Sequence, residues 1–95
     1  MSSFPVTVTA SYVAEGAPAD TLARLSAWVA EADGRTFTVD ESIAPVRWTV
    51  TVDYSVRADS DFAAERAAVE RYTQEARLQT LPEAETVVAQ TGSLS

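Results

Sequence analysis

The sequence predicts an α+β domain of the ferredoxin-like plan. Its elements run βαββαβ, forming a four-stranded antiparallel sheet with two helices on one face. Three observations predict it. Two long stretches alternate apolar and polar residues with the period of a half-buried strand, and two others repeat apolar residues with the period of a helix. Weaker strand signals fall after each helix, which completes the order. Because every strand has one apolar and one polar face, the helices are expected to cover a single side of the sheet.

The first strand is residues 6–13, where Val6, Val8, Ala10 and Tyr12 alternate with Thr7, Thr9, Ser11 and Val13. Glu15-Gly16-Ala17-Pro18 breaks it. Asp20 is placed to cap the first helix, whose apolar positions are Leu22, Leu25, Val29 and Ala32 with Trp28 on the flank. Asp33-Gly34 ends that helix, Gly34 being suited to the left-handed conformation. Residues 36–40 form the second strand and 42–45 a turn. The third strand gives the clearest signal: Val46, Trp48, Val50, Val52, Tyr54 and Val56 on one face, Arg47, Thr49, Thr51, Asp53, Ser55 and Arg57 on the other. Asp59, Ser60 and Asp61 are cap candidates for a second helix running to about Gln79, where Leu81-Pro82 stops it. Residues 85–91 are the last strand and 92–95 a loose tail. The core is expected to comprise Val8, Leu22, Leu25, Val29, Val39, Trp48, Val50, Val52, Phe62, Val69 and Tyr72.

At 95 residues the chain reads as one domain, 1–95. Hydrophobic residues at 46% against 22% charged are ordinary globular usage. Cys, His, Lys and Asn are all absent, which excludes disulfide scaffolds, thiolate zinc sites, Cys or His nucleophiles and Schiff-base lysines. No metal or other cofactor is expected. The missing Lys and Asn, with many Ala and Arg, point to a GC-rich genome such as that of an actinobacterium or its phage. A net charge of −7 opposes phosphate approach, so direct nucleic-acid binding is not expected. No apolar run approaches a membrane span of about 20 residues, and the first residues lack the pattern of a signal peptide. The chain reads as cytoplasmic.

The open sheet face carries Thr, Ser, Asp and Arg, whereas an RNA-binding sheet needs aromatics there. Asp40 and Asp53 both fall on that face and would be neighbours in one hairpin register, which would allow paired-carboxylate chemistry. Arg47 and Arg57 share the face and favour a solvated surface with cross-strand ion pairs. No Ser sits in a nucleophile elbow and no Gly-rich loop could hold phosphate.

Residues 15–25, Glu-Gly-Ala-Pro-Ala-Asp-Thr-Leu-Ala-Arg-Leu after a Val-Thr-Val-Thr strand, resemble the first strand, loop and helix of ACT-type ligand-binding domains. Those domains usually have Pro-Gly where this chain has Pro18-Ala19. The resemblance covers about a quarter of the chain and implies a small-ligand sensor.

With Phe62 as the origin and about 100° per residue, Val69, Tyr72 and Ala76 fall on the core side of the second helix. Glu65 falls among them. Either it sits in the first turn near the sheet edge, where dipole and solvent accommodate it, or it is a partly buried carboxylate kept for a partner's arginine. Ala64, Ala67, Arg71 and Leu78 fall on the opposite side and form a candidate partner-binding strip, with Glu65 as a further candidate.

The function expected from these residues is that of a small acidic, non-enzymatic protein-binding module. Its partner is a host protein that it modulates, or a second copy in a homodimer. Three alternatives stay open: an acidic decoy of nucleic acid, an ACT-like sensor, or a small dimeric α+β barrel enzyme.

Overall fold

The structure, a computed structural model, describes residues 2–15, 17, 19–42, 44–79, 81 and 84–91. The expected tail at 92–95 lies outside these residues. The elements are β1 (Ser2–Val13), α1 (Thr21–Ala30), β2 (Arg35–Asp40), β3 (Arg47–Ala58), α2 (Asp61–Leu78) and β4 (Thr86–Thr91). All strand pairs are antiparallel, in the order β2-β3-β1-β4. This is the ferredoxin-like arrangement, with the two strongest alternators at the centre.

Register follows from parity. Val6, Val8, Ala10 and Tyr12 of β1 stand opposite Tyr54, Val52, Val50 and Trp48 of β3, and all eight are buried. A one-residue slip would turn every one of them to the open face, so the pattern fixes the pairing. α2 packs across β4, β1 and β3, and α1 beside β2. Leu25 and Trp28 of α1 and Ala64, Ala68 and Tyr72 of α2 complete the core. Small Ala side chains let α2 lie close to the sheet, and Tyr72 fills the remaining depth.

Gly34 ends the turn after α1 with a φ of 80°, a conformation that costs any residue with a Cβ. Ser60 is the cap of α2, its Oγ accepting from the Ala63 N–H at 3.2 Å. Asp20 is the N-cap residue of α1, its carbonyl accepting the Arg24 N–H at 3.0 Å, but its side chain makes no capping bond. Its carboxylate instead accepts from the Arg24 Nε–H at 2.8 Å, one turn further on.

The expected core needs three corrections. Leu22, Val39 and Phe62 are exposed, while Val29 and Val69 are half-buried against the core. Val39 has the correct parity but stands near the end of an edge strand. Leu22 and Phe62 lie in the first turns of their helices, about 90° and about 120° respectively from the centre of the buried stripe. Trp28, expected on the flank of α1, is buried instead.

Candidate functional site

α2 is the element whose two sides offer something to bind. Its first turn is held by two side chains: Ser60 accepts from Ala63, and Asp61 Oδ1 accepts from the Phe62 N–H at 2.7 Å. This satisfies backbone donors that a helix start leaves free. The fixed turn presents Phe62 at 66% exposure. At four-residue spacing Arg66 and Glu70 continue the same row, so the three side chains form a ridge along the helix. A shallow groove of about 310 Å³ lies on each side. Glu65, Val69 and Ala89 line the groove toward β4, and Ala63 and Ala67 line the other.

The five partner-binding candidates separate. Ala67 and Glu65 border the two grooves. Glu65 is also committed internally, its Oε2 accepting from both the N–H and the Oγ1–H of Thr91 at 3.0 Å. Ala64 is corrected outright: it is 0% exposed, on the core side of α2. Setting the helix phase on Phe62 turned the whole wheel by more than half a right angle, because the buried stripe runs through Ala64, Ala68 and Tyr72. Arg71 lies over the Tyr54 ring, 4.9 Å from its centroid, with its Nε 3.6 Å from Glu75 Oε1. Leu78, 81% exposed, stands about 24 Å along the helix from Phe62. It borders a separate notch with Trp28, Arg35 and Glu75. The strip expected from sequence is therefore not one surface.

The sheet side of α2 carries a tyrosine cluster that periodicity alone did not single out. Tyr12 of β1 and Tyr72 of α2 meet hydroxyl to hydroxyl inside the fold. Tyr72 packs edge-on to Trp28, ring centroids 5.8 Å apart, and the Arg35 guanidinium covers Trp28 at 3.9 Å. Tyr54 donates to Glu75 Oε2 at 2.7 Å. Burial raises the pKa of all three tyrosines. The Glu75 carboxylate raises Tyr54 further, the bond to Tyr12 raises Tyr72 further, and in Tyr12 burial outweighs an opposing effect of its bond to Tyr72. Beside this cluster a cleft of about 370 Å³ opens between α2 and β4. Tyr12 and Tyr72 line it together with Ala76, Arg77, Leu81 and Val87. The signal in the sequence was present but unreadable: a Tyr on the apolar face of a strand and another on a helix, sixty residues apart.

On the open sheet face Asp40 and Asp53 are not brought together. Asp40 stands opposite Arg47, while the Asp53 N–H bonds the Gly34 carbonyl at 2.8 Å. That is six residues, or about 20 Å, further along β3. Asp40 Oδ1 accepts from the Ser42 N–H at 3.0 Å and from its hydroxyl, which closes the turn and holds its carboxyl below the usual range. Asp53 accepts from Thr7 Oγ1 at 2.9 Å, and Arg47 pairs with Glu85 at 2.6 Å. Among the described residues no three acidic side chains converge as a metal site would need. No described helix is long and apolar enough to cross a membrane.

No protein-family model, curated protein or solved structure matches the chain. The functional reading therefore rests on this geometry.

Proposed function

We propose that the chain is a small acidic binding module without enzymatic activity, and that it engages a protein partner through the Phe62–Arg66–Glu70 ridge of α2. Phe62 carries the reading. An aromatic side chain 66% exposed on a side-chain-capped helical turn, with a groove on either side, is unused apolar surface held in a fixed place. Burying a Phe is worth about 1.5–3 kcal/mol. Binding energy concentrates on such anchors when neighbouring grooves exclude water around them.

Charge describes the partner. Asp59 and Asp61 precede Phe62 in the chain and Glu65 and Glu70 line its groove toward β4, interrupted by Arg66, in a chain of net charge −7. The complementary surface is apolar at its centre and rich in Lys and Arg at its rim. A second copy of this chain brings the same −7 and is disfavoured. For a source among actinobacteria or their phages, the partner is a host protein that docking modulates.

The test is a photo-crosslinking residue placed at position 62 and, separately, at Thr49 on the open sheet face. The captured protein is then purified and titrated. Capture from position 62 alone is expected, with Phe62→Ser weakening affinity at least tenfold, or about 1.4 kcal/mol. Capture from Thr49 alone, or an affinity indifferent to Phe62→Ser, would overturn the reading. Sedimentation of the isolated chain as a dimer dispersed by the same substitution would make a second copy the partner.

A further inference from the structure

The cleft between α2 and β4 holds a hydrogen-bond donor that the fold itself does not use. Two tyrosine hydroxyls bring two hydrogens, and one O–H···O contact between them consumes one. Whichever of Tyr12 and Tyr72 donates, the other keeps a hydrogen for which no described residue supplies an acceptor. Both residues are 2% exposed, and both line the cleft. Each hydroxyl oxygen has a partner in the other, and the hydrogen left over has only the cleft to donate into, so an acceptor bound there gains a hydrogen bond.

The rest of the lining describes that occupant. Ala76, Leu81 and Val87 make apolar walls, and Arg77, exposed near the end of α2, supplies a positive charge that no described carboxylate pairs with. Among the described residues no acidic side chain lines the cleft. A volume of about 370 Å³ lies within the range of small-molecule sites and has room for roughly ten non-hydrogen atoms. We propose that this cleft is a binding site for a small amphiphilic carboxylate, whose oxygens accept from the free tyrosine hydrogen and from Arg77 while an aryl or short alkyl body lies against Leu81 and Val87. The tyrosines stay protonated donors at neutral pH, since burial raises them above the ordinary phenol value. The site is separate from the Phe62 ridge, and neither reading depends on the other.

Calorimetric titration with 4-phenylbutyrate, its neutral amide and acetate tests the assignment. Phenylbutyrate is expected to saturate the protein one to one, the amide to bind at least tenfold more weakly, and acetate not to saturate. Arg77→Gln, and Tyr12→Phe combined with Tyr72→Phe, are each expected to weaken phenylbutyrate at least tenfold, while Arg57→Gln, the same change of charge on the open sheet face, leaves it unaltered. Either tyrosine alone would still offer its hydrogen, so both hydroxyls are removed; the rings stay, and circular dichroism checks that the double variant folds. Arg77→Gln alters only an exposed side chain and gives an independent reading if the double variant does not fold. Absence of saturation by phenylbutyrate would show a cleft that takes only water. Equal binding of acid and amide, or binding indifferent to Arg77→Gln, would equally overturn the proposal.

Discussion

Glu65 ties α2 to the last residue of β4, its Oε2 accepting both the backbone N–H and the hydroxyl of Thr91 at 3.0 Å. β4 is an edge strand, bonded to β1 on one side only, so this carboxylate anchors its end. Hydrogen bonds to charged groups are worth about 1.5–3 kcal/mol. Glu65→Ala is expected to lower stability by about that amount in urea denaturation. Amide exchange should accelerate at Gln90 and Thr91 more than in β3.

Ala64 and Ala67 are three residues apart and separate the two sides of α2. Ala64 is fully buried and Ala67 exposed. Ala64→Leu forces extra methylenes into a packed interface and is expected to cost about 1–3 kcal/mol. Ala67→Leu should stay within about 0.5 kcal/mol. In a domain of this size 1 kcal/mol moves the melting temperature by roughly 4–8 °C, so thermal denaturation separates the two variants.

Phe62 and Trp48 make the same contrast between two aromatics. Phe62→Ser removes a side chain that is mostly in water, with an expected change below about 0.5 kcal/mol. Trp48→Ala empties a core position of β3 and should cost about 3–5 kcal/mol. Chemical denaturation of both variants checks this. A large loss in Phe62→Ser would place Phe62 in the core.

All three tyrosines of the chain have raised pKa values in the folded state. Below about pH 10, the ordinary tyrosine value, folded and unfolded chains both keep their phenolic protons and the tyrosines give stability no slope. Above it the unfolded chain releases protons that the folded chain retains, so stability falls as pH rises. Phenolate absorbance of the folded chain at pH 10 should therefore be lower than that of free tyrosine, which is half ionised there. At higher pH it should rise together with the loss of circular dichroism. Half-ionised absorbance at pH 10 in a fully folded chain would contradict the raised values.

The strands were legible because period-two alternation is a strong constraint. Six consecutive matches in β3 and the run through Tyr12 in β1 fix both face and register. The helices were legible as elements but not in rotation. α2 offered Phe62 and Leu78 as conspicuous apolar residues, and both are exposed. Its contact with the sheet is made by Ala64 and Ala68, whose small size permits close approach but carries almost no signal in a hydrophobic pattern. Leu22 and Trp28 in α1 repeat the lesson. The tyrosine cleft was beyond periodicity altogether, since it depends on which strand position meets which helical turn.

The central place of β1 orders events in time. Ser2–Val13 is made first, yet its neighbours are β3 and β4, and only β2 pairs with the strand that follows it directly. On a growing chain Val6, Val8 and Tyr12 have no strand to meet until Arg47–Ala58 has emerged, and the second edge of β1 stays open until Thr86–Thr91 follows. Topologies dominated by such distant pairing fold slowly, and a waiting apolar strand is open to association with other chains. A nascent chain stopped before β4 would therefore hold its first strand half paired, with the floor of the α2–β4 cleft uncovered.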